Sequence, residues 1–543
     1  MTSITSKATE RRIPVSYDSK GDPVWRSIMS PPDESMAVCN MVPDRIIPVI
    51  FVPGVMGSNL KTKNGVQWRM DSLSSMSPWM ARGAKMRKKN LSPTAMTLDR
   101  DGDIPSGTNQ SPAELKLRGW GEVGNFSYGE FLVWLENALN DFDNPHGGVR
   151  DSLIGATLAA NKGEDALIKD EVALSFKYRF PVHACGYNWL DSNREAAQHL
   201  QRRIHDVIKR YQGGKKKCEK VIIVTHSMGG LVARHCSEVL GMQDKIFGIV
   251  HGVMPAIGAA AVYRRMKAGT ENAGEWVVGK IEGWLGSKAL GEDAAEMTAV
   301  LSSAPGPLQL LPTPEYGNGW LRVRHGESEY RLPKNGDPYE EIYTVRGEWW
   351  SLCEDRLINP LNEEQDRKKW QAQVDQDWHN FQDIVKDQVK RFHQDIASKY
   401  HPATFAFYGS DPTHLAYGNV TWRGHSSVGE DILRGSRPVY PMRGRALDPS
   451  DVNRSRSIAV PLGGEGWKSG VHQIYRISSP DEEGDGTVPH RSGIASQTHA
   501  KSTLQVVAGH EPAFKESHHA RLFTLRAIVK IAQAVRHTAL AYK

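Results

Sequence analysis

The sequence predicts an α/β protein with a mainly parallel central sheet that is flanked by helices and carries large insertions. Residues 45–52 form a near-continuous apolar run, as expected for a strand buried on both faces of a parallel sheet. Strand-like and helical segments alternate between residues 181 and 253, which is the pattern of βαβ crossovers. An apolar strand ending at Thr225 is followed by a serine, two glycines and a helix-compatible run.

The chain divides into four parts along its length. Residues 1–44 are mostly polar and are interrupted by prolines, and we interpret them as an irregular N-terminal arm. Residues 45–260 are predicted to form the first part of the core, with a loop-rich excursion at 61–125. Residues 261–400 are predicted to be a largely helical lid or cap insertion, and residues 401–543 the second part of the core.

Apolar runs and helical spacing place the individual elements. We predict strands at 181–186, 220–225, 246–253, 403–408 and 504–508, and helices at 131–139, 194–211, 271–290, 363–400 and 520–535. Residues from 409 to about 470 are polar and glycine-rich, and no element is predicted there. The apolar stripe from Trp276 to Leu285 has two open interpretations, a core helix or a lid over a lipid site.

Composition excludes several classes of function. The formal net charge of +6 is small for 543 residues, so no nucleic-acid partner is predicted. The five cysteines are odd in number and lack C-x-x-C spacing, which argues against a disulfide framework and a zinc site. The N-terminus has no apolar segment typical of a secretory signal. We therefore expect synthesis in the cytoplasm without a cleavable signal peptide.

Ser227 is the strongest candidate for chemistry because it lies on a predicted strand-to-helix turn. Such a turn is the nucleophile elbow, and two glycines follow it at 229 and 230. Thr225 stands where the usual G-x-S-x-G pattern has its first glycine. A plain turn serine is the alternative interpretation.

A serine hydroxyl needs a base to remove its proton, and the base needs an acid to orient it. Asp485 lies in a turn before the last predicted strand, and His510 directly follows that strand, so the chain order is serine, acid, histidine. Asp411 is an alternative acid because it also follows a predicted strand. Three other histidines are alternatives to His510: His518 and His519, which are expected to begin the last helix, and His226, which is expected to pack locally.

Five segments together resemble a known family: Pro48–Leu60, Tyr187–Asp191, Thr225–Gly230, Gly484–Pro489 and Gly509–Phe514. They are similar to the α/β-hydrolases of the lecithin:cholesterol acyltransferase-like and PGAP1-like group, and within it to bacterial type VI secretion lipase effectors. The resemblance implies an α/β-hydrolase fold. It also implies Ser227 as nucleophile, Asp485 as orienting acid and His510 as general base, with the N–H groups of Val55 and Met228 forming the oxyanion hole.

The resemblance further implies a serine esterase or lipase that hydrolyses lipid carboxylic esters, in particular phospholipids, through an acyl-enzyme. The expected partners are a lipid substrate at a membrane surface, an immunity protein and a component of the secretion machine, with action in a target cell's periplasm or membrane. Three alternatives remain open: a lipid acyltransferase, an intracellular carboxylesterase of the same fold, and a non-catalytic binding protein with an inherited hydrolase fold.

No metal or other cofactor is predicted. Two pairs of aspartates, Asp101 with Asp103 and Asp141 with Asp143, could bind calcium. Two-aspartate loops are, however, common on protein surfaces, and this is the interpretation we favour.

Overall fold

A six-stranded parallel sheet forms the centre of the computed structural model. The structure describes residues 10–18, 21–26, 35–142, 147–214, 216–271, 288–325, 328–425, 444–449, 456–461 and 472–542. The strands of the central sheet are β1 (Val49–Val52), β2 (Val182–Ala184), β3 (Val221–His226), β4 (Ile246–Gly252), β5 (Thr404–Gly409) and β6 (Ser502–Val506). Their spatial order is β6-β5-β4-β3-β1-β2, and every neighbouring pair is parallel.

Helices cover both faces of this sheet. The main helices of the chain outside the excursion at 61–125 are α1 (Asn125–Leu139), α2 (Asn193–Arg210), α3 (Gly229–Glu238), α4 (Ala261–Ala268), α5 (Ala294–Leu301), α6 (Arg367–Asp383), α7 (Arg391–Ile396) and α8 (His518–Ala532). Successive residues of a strand point to opposite faces, so β1 contributes to two separate cores. Ile50 and Val52 pack on the side of α2 and α3, whereas Val49 and Phe51 pack on the side of α1 and α8.

The predicted strands of the core and the helices at 131–139, 194–211 and 520–535 are confirmed. The helical region predicted at 363–400 is also confirmed, as α6, a π-helical segment at Ile384–Lys390, and α7. Trp276–Leu285 lies outside the described residues. Within the described parts of the chain, no helix is both long and apolar enough to cross a membrane.

A second six-stranded sheet lies outside the central one and was not predicted. Its strands are Leu321–His325, Ser328–Leu332, Val420–His425, Arg445–Ala446, Ile458–Pro461 and His472–Ile477. The hairpin at 321–332 lies inside the segment predicted to be largely helical, and it pairs with strands from beyond residue 400. The division of the chain at residue 400 stays a prediction.

The N-terminal arm and the excursion at 61–125 contain short elements instead of only loops. The strands of the arm are Glu10–Arg12, Val15–Tyr17, Pro23–Trp25 and Met36–Val38. The excursion begins in a three-stranded sheet of Leu60–Thr62, Gln67–Trp68 and Met96–Leu98, with short helices at Leu73–Met80, Ala84–Asn90 and Pro112–Leu117. This excursion brings Trp68 and Met70 to the carboxyl end of β1.

Candidate active site

Ser227 lies on a strained turn between β3 and α3. Its φ is +51°, in the left-handed region that residues other than glycine rarely adopt. The turn is held by its N–H, which donates to the carbonyl oxygen of Gly252 at 2.9 Å. A Cβ at Gly229 would lie 2.5 Å from the carbonyl oxygens of both Val52 and Pro53. Only glycine therefore allows α3 to start so close to the end of β1.

Thr225, which replaces the usual first glycine, points away from the turn. Its side chain is fully buried, and its hydroxyl is 3.0 Å from Nδ1 of His251 on the neighbouring strand β4. Thr225 and His251 are also register partners in the sheet. The threonine side chain thus occupies the sheet interior and leaves the space around Ser227 free.

The structure brings together Ser227, His510 and Asp485. Nε2 of His510 is 2.8 Å from the Ser227 hydroxyl, and Nδ1 of His510 is 2.7 Å from Oδ2 of Asp485. The exposed fractions are 3% for Ser227, 2% for Asp485 and 6% for His510, so water competes little for these hydrogen bonds. The other carboxylate oxygen, Oδ1, accepts from the N–H groups of Thr487 and Val488 at 3.0 and 2.7 Å. Asp485 is therefore fixed by its own loop.

The alternative site residues lie elsewhere. The Asp411 carboxylate contacts Nδ1 of His414 at 2.8 Å and does not contact His510. His518 and His519 are exposed at the start of α8. Of the two candidate acids, only Asp485 is hydrogen-bonded to the histidine that contacts Ser227.

The electrostatics favour a protonated Nδ1 on His510. Burial disfavours the charged imidazolium, but the charge and the hydrogen bond of Asp485 outweigh burial, and the pKa of His510 is raised above its ordinary value of 6.5. In the neutral ring the Nδ1–H donates to Asp485, so Nε2 can accept the hydroxyl proton of Ser227. This arrangement can remove a proton from a serine and later return it to a leaving group.

The turn after β1 is held rigidly while two N–H groups of the site stay free. Tyr187 Oη donates to the Pro53 carbonyl oxygen at 2.9 Å, and the Gly54 N–H donates to Tyr128 Oη at 3.2 Å. The Gly57 N–H donates to the Gly54 carbonyl oxygen at 3.1 Å, and Trp68 Nε1 donates to the Met56 carbonyl oxygen at 3.1 Å. Within the described part of the chain, the N–H groups of Val55 and Met228 make no hydrogen bond. Met228 precedes the first residue of α3, where free N–H groups attract an anion.

A small cavity of about 70 Å³ adjoins Ser227 and His510. Its wall is mostly apolar and includes Val55, Met70, Val262, Leu310 and Val488. Arg265 of α4 also lines it, with Nε donating to Glu271 at 3.2 Å and Nη2 donating to the Thr487 hydroxyl at 3.2 Å. The cavity can hold an apolar group next to the serine.

Some residues of the site were not singled out by sequence reasoning. Tyr187 is the first residue of Tyr187–Asp191, one of the segments that resemble the family, and that resemblance could have marked it as a residue of the site. Tyr128 and Arg265 lie within helices and have no local pattern that marks them. Only the folded arrangement reveals their contacts.

Two of the aspartates considered for calcium are paired with cationic side chains. Asp101 contacts Lys61 at 3.1 Å and Lys116 at 2.8 Å, and Asp141 contacts Arg150 at 2.5 Å. Asp143 lies outside the described residues. In the part of the chain that the structure describes, no group of three or more His, Cys, Asp or Glu side chains could hold a metal ion.

Comparison with known proteins relates this fold to characterised structures. Residues 191–262, which span α2, β3, the Ser227 turn, α3 and β4, match the PGAP1-like alpha/beta domain family. A chain from the crystal structure of a Tle4–Tli4 complex is 25% identical, with a TM-score of 0.70, and the match covers 90% of this chain and 98% of that one. This protein has an α/β-hydrolase fold. The predicted fold class and the resemblance to the PGAP1-like group are thereby confirmed.

Two further comparisons carry no argument about function. Lipase 1 from Pelosinus fermentans is 12% identical, with a TM-score of 0.22 over 70% of this chain and 95% of that one, too distant to bear on function. No curated protein has a matching sequence.

Proposed function

We propose that this α/β-hydrolase is a serine hydrolase that cleaves carboxylic esters of lipids, in particular phospholipids. The observation that carries the proposal is the hydrogen-bonded chain from Ser227 through His510 to Asp485 on a strained elbow. In this chain the Ser227 hydroxyl can donate its proton to His510, and His510 donates to Asp485. This is the arrangement that activates a serine as a nucleophile. The apolar wall of the adjoining cavity supports an acyl group as the bound part of the substrate.

In the proposed reaction, the Ser227 oxygen attacks the ester carbonyl carbon while His510 takes the hydroxyl proton. The tetrahedral intermediate collapses to an acyl-enzyme, and His510 gives the proton to the leaving alkoxide, which departs as an alcohol. A water molecule then attacks the acyl-enzyme while His510 accepts one of its protons. The second tetrahedral intermediate collapses as the bond from the acyl carbon to the Ser227 oxygen breaks, His510 returns the proton to that oxygen, and the fatty acid is released. Asp485 holds the imidazole in the productive tautomer throughout.

The N–H groups of Val55 and Met228 are the proposed donors to the negative oxygen of each tetrahedral intermediate. Their lack of partners in the described chain supports this role, because a donor that is free in the resting state needs no rearrangement to bind an anion. One such donor contributes on the order of 10²–10³ in rate.

The direct test is fatty-acid release from phospholipid vesicles by the wild-type protein and by Ser227→Ala. We expect release by the wild type and a loss of at least about 10³-fold in the variant, because the residual rate without a nucleophile is small. A fluorophosphonate probe should label the wild type and leave Ser227→Ala unlabelled. Equal fatty-acid release by both proteins would refute the proposal.

We also propose that the protein is an antibacterial effector, delivered by a type VI secretion system and neutralised by a partner protein. Two observations support this: the sequence resemblance to such effectors, and the match over 90% of this chain to a protein solved as a Tle4–Tli4 complex. The test directs the wild type and Ser227→Ala to the periplasm of a bacterial host. Arrest of growth by the wild type alone is expected, and arrest by both would contradict a toxic role for the hydrolase activity.

A further inference from the structure

A chain of buried hydrogen bonds runs behind Ser227 and joins the two ends of the site. The Gly54 N–H donates to Tyr128 Oη at 3.2 Å, Tyr128 Oη is 3.0 Å from Nδ1 of His226, and Nε2 of His226 is 2.9 Å from the carbonyl oxygen of His510. It links the turn after β1, helix α1, the Ser227 elbow and the loop after β6. One end adjoins Val55, and the other end is the histidine that contacts the serine.

The direction of every bond in this chain is fixed by its two ends. A backbone N–H can only donate and a carbonyl oxygen can only accept. Nε2 of His226 must therefore carry the proton that is donated to His510. Nδ1 of the neutral ring is then an acceptor, and it receives the hydroxyl proton of Tyr128, which in turn accepts from Gly54.

Burial keeps the chain in this single arrangement. Burial lowers the pKa of His226 to about 3 and raises the pKa of Tyr128, so neither side chain ionises near neutral pH. Both nitrogens of His226 are engaged, which leaves none to accept a proton from Ser227. The role that remains for His226 is mechanical.

The packing around Gly54 shows how tightly the two ends are joined. A Cβ at Gly54 would lie 2.9 Å from Nδ1 of His226 and 3.0 Å from the Cβ of Ser227. The turn therefore rests directly on the elbow, and a shift of His226 would be transmitted to Gly54 and to the adjoining Val55 N–H. The His226 and His510 rings are also neighbours, with centroids 5.3 Å apart.

We propose that Tyr128 and His226 are positioning residues, which fix the turn that carries the Val55 N–H relative to the backbone of His510. The inference rests on the proposed hydrolase function and adds two residues to it. Neither residue exchanges a proton with the substrate. Each keeps the anion-binding turn and the base in the mutual position that the transition state needs, so their loss affects kcat more than KM.

The molecule contains a matched control. Tyr339 Oη is 2.7 Å from Nδ1 of His393, and Nε2 of His393 is 2.8 Å from the carbonyl oxygen of Gln309. Both side chains are buried, and burial lowers the pKa of His393 to about 4. Neither Tyr339 nor His393 lines the cavity at Ser227. Tyr339→Phe therefore removes the same kind of hydrogen bond without touching the site.

The experiment compares Tyr128→Phe with Tyr339→Phe, with kcat, KM and melting temperature measured for each on one ester substrate. We expect Tyr128→Phe to lower kcat by about 10- to 100-fold, less than the loss of a whole oxyanion donor, with KM changed by less than about 3-fold. The two variants should lose similar amounts of melting temperature, and Tyr339→Phe should keep kcat near the wild-type value. Equal kcat values for the two variants would overturn the proposal.

His226→Asn interrupts the same chain of hydrogen bonds at a second point, because it removes the bond from His226 Nε2 to the His510 carbonyl oxygen. Its kcat should fall with KM nearly unchanged, and the double variant with Tyr128→Phe should lose little more than the worse single variant, since both interrupt one chain. If the losses of kcat in the two single variants add up in the double variant, Tyr128 and His226 do not act through one chain of hydrogen bonds. The wild type and Ser227→Ala are assayed alongside: if these two are equally active, the hydrolase function itself fails, which is a separate outcome.

Discussion

Asp485 has two effects on His510, and both bear on how the rate should depend on pH. It fixes the Nδ1–H tautomer, and it raises the pKa of the imidazole above 6.5 against the opposing effect of burial. The proposed base accepts a proton only when neutral. We therefore expect kcat/KM to rise with pH, with the midpoint of the acid limb above pH 6.5. A profile of kcat/KM from pH 5 to 9 measures this.

Replacement of Asp485 by asparagine should lower kcat on the order of 10⁴-fold, because the amide no longer stabilises the imidazolium and favours the wrong tautomer. The midpoint of the acid limb should also move to lower pH, since the raising charge is gone. Asp411→Asn is the control, because Asp411 is bonded to His414. A larger loss of activity from Asp411→Asn than from Asp485→Asn would identify Asp411 as the acid.

Local sequence predicts some residues of the site and not others. Ser227 and His510 could be predicted because each directly follows a strand signal, and Asp485 because it sits in a turn of distinctive composition before the last predicted strand. Tyr128 could not, because a tyrosine on a helix has many possible partners, and only the packing of α1 against the elbow selects His226. Thr225 departed from the usual glycine, and its tolerance depends on the space beside His251, which is a property of the assembled sheet.

At the scale of elements, the junction of β3 and α3 depends on one glycine. Gly229→Ala would place a Cβ 2.5 Å from two backbone carbonyl oxygens, which cannot move aside as a side chain could. We expect about 1–3 kcal/mol of destabilisation from overpacking, together with a loss of activity because Ser227 is displaced. Urea denaturation and the ester assay measure the two effects.

Gly83→Ala is the matched control for that substitution. Gly83 precedes the short helix at Ala84–Asn90, has a φ of −76°, and a Cβ there would meet no atom within 4 Å. Activity should stay close to wild type, and stability should fall by less than for Gly229→Ala, because alanine meets no atom there and is only a poorer N-cap than glycine. A Gly229→Ala protein as active as Gly83→Ala would show that the elbow tolerates a side chain and that the tight junction is not required.

The strands of the central sheet were predictable because a strand that is buried on both faces consists almost entirely of apolar residues. The second sheet was not, for two physical reasons. In Leu321–His325, the buried Leu321 and Val323 alternate with the more exposed Arg322 and Arg324, so no apolar run marks the strand. Its partner, Val420–His425, comes about a hundred residues later, and local sequence does not encode that pairing.

At the scale of the whole molecule, buried histidines make folding sensitive to acid. Among the described residues, burial lowers the pKa of seven of them: His183 well below 6.5, His199, His235 and His393 to about 4, His226 and His251 to about 3, and His401 below its ordinary value. These rings are neutral in the folded protein, whereas in the unfolded chain they bind protons below about pH 6.5. The unfolded state therefore gains protons first, and stability falls as the pH is lowered.

We expect the free energy of unfolding to decrease as the pH falls below about 6.5, with at most about 1.4 kcal/mol per pH unit from each histidine that stays neutral in the folded protein. His510 has the opposite effect, because its raised pKa adds stability at acid pH that is lost as the pH rises, but it is one group against seven. Urea denaturation at pH 7.5, 6.5, 5.5 and 4.5 gives the slope, and His393→Gln should reduce that slope by about one proton. A stability that stays constant between pH 6.5 and 4.5 would mean that these histidines are protonated in the folded protein, which their burial opposes.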